Sequence, residues 1–492
     1  MKTFEKIYSF VLSLLIVCVM SAAGVYIYNE HKKIQKNKRI FLVESNKVDG
    51  IVFGKKGHKY YISPTKDEGH VFVCGGTGEG KTSALLIPTL RAWKGNSFVI
   101  DISGDIHTNV HRSNNVIFNP IAENNRPYNV FELVDEQEND SQKFRELKKI
   151  AFVLMPDVPG ASSDDKFYNT EGRKILIAAM YVYYLQGRDF CEICELILTQ
   201  DVLELLSLIY EIGDWRAKRL VKGFRGIKES TASSCKQACN EAVELFGTDE
   251  NIMRNLRRPK PWEKGISPKT MEVSNLYLVI PEDKIEILSA LMHLVTDQAM
   301  KYMLSRPTGN KTKILFALDE FASLGNIDIL PCLRRARKHH IRLMVCTQSM
   351  ADLDIVYGLQ VRKAMMSNFA FSAILLATDV ETQEYFSKLA GCETDDYGTR
   401  ERRIDPEEFG ELEDELILLG KSFHARIERN YYFVDDEKKR AHFKDILTEL
   451  DDAVHETIDG VKGEARLTAY GEVVYVQPRL TAFGEANYVE SE

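Results

Sequence analysis

The sequence predicts an α/β chain: a mostly parallel sheet, interrupted by an all-α insertion and preceded by one transmembrane helix. Three observations carry this. Runs that are apolar throughout, such as Val71-Phe72-Val73-Cys74 and Ile314-Leu315-Phe316-Ala317-Leu318, suit strands buried on both faces, as parallel sheets require. Between them, residues 162–270 show helical periodicity with almost no strand signal. From Ile7 to Tyr28 the chain is apolar and uncharged, long enough to cross a hydrocarbon core of about 30 Å.

The strand ending at Cys74 runs directly into Gly75-Gly76-Thr77-Gly78-Glu79-Gly80-Lys81-Thr82, which fits G-x-x-x-x-G-K-[ST]. Four glycines let the backbone turn tightly and aim successive N–H groups at a phosphate. Lys81 is placed to reach the β/γ oxygens and the Thr82 hydroxyl to hold Mg²⁺, while a helix starting near Ser83 presents its positive end to the same anion. Strand, full motif and helix start coincide, so a P-loop is expected rather than a glycine turn with no ligand.

Asp319 and Glu320 follow the 314–318 strand at its carboxyl end. Hydrolysis needs a carboxylate on the Mg²⁺ side and a group that orients the attacking water; Asp319 takes the first role, through water, and Glu320 the second. A third strand, Arg342–Thr347, ends in Gln348-Ser349, which puts a neutral amide at the same edge as a γ-phosphate sensor. A fourth, Ser97–Ile100, runs into Asp101 and Asp105, acids expected near the ligand edge of an open α/β sheet.

In order, the P-loop, Val99-Ile100-Asp101-x-Ser103-Gly104-Asp105, Leu318-Asp319-Glu320-Phe321-Ala322-Ser323-Leu324-Gly325, Gln348-Ser349 and Val356-Tyr357-Gly358 resemble the coupling-protein ATPases of type IV secretion systems. Ser387-Lys388-Leu389-Ala390-Gly391, Arg402-Arg403-Ile404-Asp405-Pro406-Glu407-Glu408-Phe409 and Glu415-Leu416-Ile417-Leu418-Leu419-Gly420 extend the likeness, which runs from about residue 60 to about 435. The P-loop is common to many ATPases; the string from Asp319 to Gly325 is far more specific.

The resemblance implies a RecA-like P-loop NTPase domain over 41–161 and 271–445, with a membrane-distal all-α domain inserted at 162–270 that recognises substrate. It also implies a homo-oligomeric ring, hexameric in the family, with ATP and Mg²⁺ at subunit interfaces. Arg337, eleven residues before Gln348 in a basic segment from Pro331 to His340, resembles an arginine that reaches the γ-phosphate of a neighbouring subunit. Implied partners are the type IV secretion channel and a relaxase with its single-stranded DNA, or effector proteins. A septal-type DNA translocase is a further reading, but the last 47 residues are too short and acidic for its usual winged-helix domain. A nucleotide-gated receptor without hydrolysis is disfavoured by the intact Asp319-Glu320 pair.

Residues 1–40 form the expected membrane anchor. Lys2, Glu5 and Lys6 precede the apolar run, whereas Lys32, Lys33, Lys36, Lys38 and Arg39 follow it. By the positive-inside rule the body faces the cytoplasm of a bacterial inner membrane, in single-pass contact with lipid. Ser21-Ala22-Ala23 resembles a signal-peptide cleavage site, but the basic cluster lies on the wrong side of the apolar core. Coupling proteins usually carry two spans, and here there is one.

The length of 492 residues suits two or three domains. Net charge is −8, which argues against a generally basic nucleic-acid coat, but it is uneven: residues 446–492 hold ten acids and three bases. Nine cysteines suit free thiols in a reducing compartment. Cys191 and Cys194, and Cys235 and Cys239, are spaced as one buried helix face would space them, which is favoured over a zinc site. In the tail, Arg466-Leu467-Thr468-Ala469-Tyr470-Gly471-Glu472 recurs as Arg479-Leu480-Thr481-Ala482-Phe483-Gly484-Glu485. Hairpin-like turns are favoured over a bipartite docking motif.

Overall fold

The computed structural model describes residues 40–157, 161–394, 400–421 and 423–434, with short strands at 464–467, 473–476, 479–480 and 486–487. The expected span from Ile7 to Tyr28 lies outside the described residues. Among those described, no helix is long and apolar enough to cross a membrane. The chain divides into two compact units, Met1–Tyr431 and Tyr432–Glu492.

The first unit is built on twelve strands in one sheet. In chain order its strands are β1 (Phe41–Glu44), β2 (Gly50–Lys56), β3 (Lys59–Pro64), β4 (His70–Gly75), β5 (Asn96–Asp101), β6 (Asn115–Phe118) and β7 (Asn275–Val279), then β8 (Ile314–Leu318), β9 (Ile341–Thr347) and β10 (Phe369–Leu376). A small separate ribbon, β11 (Cys392–Thr394) with β12 (Arg400–Arg402), precedes β13 (Glu415–Gly420) and β14 (Phe423–Glu428). The spatial order is β1-β3-β2-β14-β13-β10-β4-β9-β8-β5-β7-β6. From β10 to β6 neighbours run parallel; from β1 to β10 they pair antiparallel. The expected mostly parallel sheet is thus present, with an antiparallel wing at one edge.

Burial explains the split. β4, β7, β8 and β9 are buried along their whole length, which suits their largely apolar runs; the polar residues His70, Asn275, Arg342 and Thr347 stand only at or near strand ends. β14 instead alternates exposed residues with half-buried or buried ones, as an antiparallel strand with one solvated face does. Its pairing with β2 is confined to Glu428 opposite Lys55.

The connection between β6 and β7 is helical. Its helices include Glu132–Asp135, Asp140–Leu154, Ser163–Leu185, Phe190–Thr199, Val202–Ile212, Trp215–Val221, Glu229–Thr248 and Glu250–Asn255. Several starts are written in the sequence as caps. Asn139, Ser162, Asp189, Asp201, Asp214 and Asp249 each accept a backbone N–H of the first turn with the side chain, satisfying a donor the helix itself leaves orphaned. Cys191, Cys194, Cys235 and Cys239 are buried free thiols on the inner faces of these helices. Burial raises all four above the usual thiol range, Cys239 to about 12.

In the second unit, β15 (Glu464–Leu467) pairs antiparallel with β16 (Val473–Val476), and β17 (Arg479–Leu480) with β18 (Ala486–Asn487). Both copies of the repeat therefore begin as strand: Arg466-Leu467 faces Val474-Val473, and Arg479-Leu480 faces Asn487-Ala486. The remaining residues of each copy, 468–472 and 481–485, on which the expected hairpin-like turns fall, lie outside the described residues.

Candidate nucleotide site

β4, β9 and β8 are adjacent and parallel, with Cys74 level with Thr347 and Leu318 level with Val345. Gly75, Gln348 and Asp319 consequently leave the sheet at one edge. The loop after β4 needs glycine where it turns: Gly78 has φ +82° and Gly80 φ +86°, backbone that other residues adopt only with strain. The helix begins differently from expectation. Lys81–Leu86 is a π-turn, continued as an α-helix over Ile87–Ala92, so the first turns are wider than an α-helical start.

Lys81 is 4% exposed, and its ammonium donates to the carbonyls of Gly75 and Gly76 at 2.9 and 3.0 Å. It also lies 3.1 Å from Glu320 Oε1. The Thr82 hydroxyl donates to Asp319 Oδ2 at 2.6 Å, and Gln348 Nε2 donates to Glu320 Oε2 at 3.0 Å. Burial pushes the Asp319 carboxyl up to about 6; the Thr82 hydrogen bond pulls the other way. Glu320 has φ +44°, a left-handed backbone unusual for a residue with a Cβ. That turn swings its side chain toward Lys81 and Gln348 and starts the 3₁₀ segment Phe321–Leu324. Beside it opens a cavity of about 210 Å³ lined by Glu320, Ala322, Ser323, Gln348, Asp352, Ile355 and Val356, with Ile355 largely exposed on its rim.

The remaining expected residues divide. Thr77 and Gly78 form the exposed tip of the loop, with Gly76 and Glu79 half-buried at its shoulders. Asp101 does not face this site. It is fully buried and caps the short helix Asp105–Asn109, accepting from the backbone of Gly104 and His107 and from His107 Nδ1. Arg337 is 76% exposed and pairs with Glu68 at 3.0 Å, just before β4 begins. That is the opposite end of β4 from the P-loop, about 20 Å away at 3.3 Å per residue. Arg337 cannot complete the site of its own chain.

Three contributors escape sequence reasoning. Arg429, just past β14 and 4% exposed, donates to the carbonyls of Glu79, Leu375, Leu412 and Glu415 and lies 3.3 Å from Glu79 Oε2. The neighbouring Tyr431 ring packs so closely on Gly80 that a Cβ there would sit 2.9 Å from its Cε1. Together they brace the outer side of the P-loop. Tyr357 braces the other half: its ring stacks on Phe321 at 5.4 Å, and its hydroxyl meets the backbone of Gly325 and Ile327. Arg429 had no sequence signal, since its partners are scattered along the chain; Tyr357 belonged to a recognisable string but carried no predicted role.

The donor set suits a phosphate and a hard divalent cation: an ammonium among backbone amides on one side, a hydroxyl and a carboxylate at 2.6 Å on the other. The fold is shared with known proteins. A chain of the plasmid coupling protein TrwB solved with ADPNP superposes with a TM-score of 0.64 at 21% identity, over 80% of this chain and 95% of that one. A second TrwB structure, with ADP and Mg²⁺, gives 0.64 at 20% identity, over 80% and 94%. The conjugal transfer protein TraG of Agrobacterium fabrum is 23% identical over 348 residues, 66% of this chain and 51% of TraG. VirD4 of the same organism is 20% identical over 367 residues, 71% and 54%. The chain thus spans about half the length of these curated relatives. The family described as the type IV secretion-system coupling protein DNA-binding domain matches residues 60–398, well over half of the chain. On that match, the chain belongs to the type IV secretion-system coupling protein family.

Proposed function

We propose that the chain is the ATP-hydrolysing motor of a type IV secretion or conjugation apparatus. It is anchored in the bacterial inner membrane by residues 7–28 and works as a homo-oligomeric ring, a hexamer by family resemblance. One observation carries the enzymatic part: Lys81, Thr82, Asp319, Glu320 and Gln348, drawn from three adjacent strands, form one hydrogen-bonded constellation.

ATP is the substrate. Lys81 exchanges its bonds to Gly75, Gly76 and Glu320 for phosphate oxygens, aided by the loop amides from Gly76 to Thr82. Thr82 and Asp319 would hold Mg²⁺, which neutralises charge on the phosphates when bound. Glu320, released from Lys81, accepts a proton from the attacking water through a carboxylate oxygen while the oxygen–phosphorus bond forms and the bond to the leaving phosphate breaks. Gln348 fixes the Glu320 carboxylate and faces the same space. Arg337 of this chain serves a neighbouring copy, a role supported by its exposure at the far end of β4. The exposed Ile355 beside the Glu320 cavity is a surface such a neighbour would cover.

The cargo in this reading is a relaxase with its attached single strand, handed to the secretion channel. The test is ATP turnover by the full chain in membrane vesicles, with and without single-stranded or duplex DNA. Stimulation by DNA that Lys81→Ala abolishes supports the reading. Turnover indifferent to both DNAs would remove DNA as cargo and leave effector proteins.

A further inference from the structure

Glu320 stands in a backbone conformation that has to be held from outside. Its φ of +44° is one that a residue with a Cβ leaves unless its surroundings fix it. Directly after it the 3₁₀ segment Phe321–Leu324 turns the chain and ends on Gly325, at φ +78°. Whatever fixes this turn fixes the direction of the Glu320 carboxylate.

Two side chains from different helices grip the turn. Tyr357 is one, through its stack on Phe321 and its hydroxyl on Gly325 and Ile327. The other is His293, in the helix Ile285–Ser305, whose Nε2–H donates to the Leu324 carbonyl at 2.9 Å. A carbonyl at the end of a helical segment has no donor within that segment, so the imidazole fills a gap the backbone leaves. The contact is close: a Cβ at Gly325 would stand 3.2 Å from the same Nε2. Gly325 thus serves both for its φ and for the room it leaves the ring. Burial lowers the His293 pKa, against the pull of the Leu324 bond, so the ring is neutral at pH 7 and acts by position rather than charge.

The helix that carries His293 is itself tied down. A little over one turn further on, Gln298, which is buried, accepts from the Tyr128 hydroxyl at 2.9 Å and donates to the Val130 carbonyl at 2.9 Å. Tyr128 and Val130 lie in the stretch that leads from β6 into the helical connection. His293 therefore holds the turn from a fixed support.

We propose that His293 is a positioning residue for ATP hydrolysis: by holding the Leu324 carbonyl it keeps Glu320 in its left-handed conformation, with the carboxylate at Lys81 and Gln348. It rests on the reading of Glu320 as the group that takes the proton from water. Without the imidazole the turn relaxes and the carboxylate moves off the attacking water. The loss falls on rate rather than on nucleotide binding, because Lys81, Thr82 and the P-loop amides are untouched.

The experiment measures ATP turnover and binding of a fluorescent ADP analogue by the full chain in membrane vesicles, with turnover expressed per analogue-binding molecule so that unfolded chains do not count. His293→Leu should lower kcat about 10- to 100-fold while KM for ATP and analogue affinity stay within about threefold. His293→Gln, whose amide N–H reaches about as far as Nε2–H, should return kcat to within about threefold of the parent. Met303→Ala truncates a fully buried side chain about 15 Å further along the same helix and should leave kcat within about twofold. Added to Glu320→Gln, His293→Leu should lower the residual turnover by less than about threefold, because the carboxylate it positions is already gone. A parent-like kcat in His293→Leu would overturn the proposal. So would the full loss recurring in the Glu320→Gln background, or no recovery in His293→Gln, either of which makes His293 an ordinary part of the core. If His293→Leu leaves no binding-competent chain, His293→Asn, whose amide ends short of Leu324, is judged by the same outcomes. Parent-like turnover in Glu320→Gln alone would remove the Glu320 reading and the proposal with it, whereas lost turnover there beside a normal His293→Leu removes only the proposal.

Discussion

Lys81 Nζ lies 3.1 Å from Glu320 Oε1, although a helical connection separates the two residues in the chain. In the proposed mechanism these are the phosphate-binding and the water-activating residue, so at this distance they hold each other. An incoming phosphate would compete for the same ammonium, so that filling the site and freeing Glu320 would become one event.

Gly80→Ala tests the P-loop geometry. An alanine there meets a left-handed backbone and a Tyr431 ring atom at 2.9 Å. It should cost about 1–2 kcal/mol in denaturant unfolding and weaken binding of a fluorescent ADP analogue more than about tenfold. Gly57→Ala, with φ +58° but nothing within 4 Å, carries similar backbone strain and should leave nucleotide binding intact.

Arg429→Met tests the brace. The substitution leaves the carbonyls of Leu375, Leu412, Glu415 and Glu79 without their donor at a buried position. Destabilisation of about 3–5 kcal/mol is expected, with weaker nucleotide binding in whatever remains folded. Glu79→Gln, which keeps the Glu79 carbonyl bond, should be far milder. Equal unfolding midpoints for Arg429→Met and parent would remove the brace.

His70 predicts a pH dependence of stability. Its Nδ1 accepts from the Leu343 N–H and its Nε2–H donates to the Leu333 carbonyl, so the folded ring is neutral. Burial, joined by the nearby Arg342 charge, lowers its pKa to about 4 against the Leu333 hydrogen bond. The unfolded chain takes this proton near pH 6.5, so between 6.5 and about 4 it binds more protons than the folded chain. Stability should fall as pH falls through that window, by up to about 3 kcal/mol from this residue. His70→Leu should be less stable at pH 7.5 but lose that part of the slope; an unchanged slope would contradict the assignment.

Tyr357→Phe should cost about 1–2 kcal/mol, because the hydroxyl's bonds to Gly325 and Ile327 disappear while the stack on Phe321 remains. Tyr357→Ala, which removes the stack as well, should lower turnover more than ATP affinity, since Phe321 adjoins Glu320. Equal losses in both would assign Tyr357 to general folding.

How much of this was legible in sequence depended on whether the signal was local. The P-loop, the 314–318 strand with Asp319-Glu320, and Gln348 each announce themselves within a few residues, because buried parallel strands must be apolar and their ends carry the chemistry. The helical connection was legible for the same reason, through its periodicity; the Asp and Ser residues that cap its helices were recognised only in the structure. The antiparallel wing was not: β14 mixes polar and apolar residues, and its place is set by partners far away in the chain. Asp101 misled because a strand-end acid looks the same whether it faces a ligand or caps the next helix. Arg429 was invisible, since a single arginine after a strand has no pattern.

The most direct measurement compares ATP binding and turnover in the full chain carrying Glu320→Gln. The account predicts ATP binding at least as tight as in the parent, because Lys81 loses a competing carboxylate, and turnover lower by about 10²–10⁴-fold, because no base takes the proton from water. Turnover within a few-fold of the parent would contradict it, and so would loss of binding.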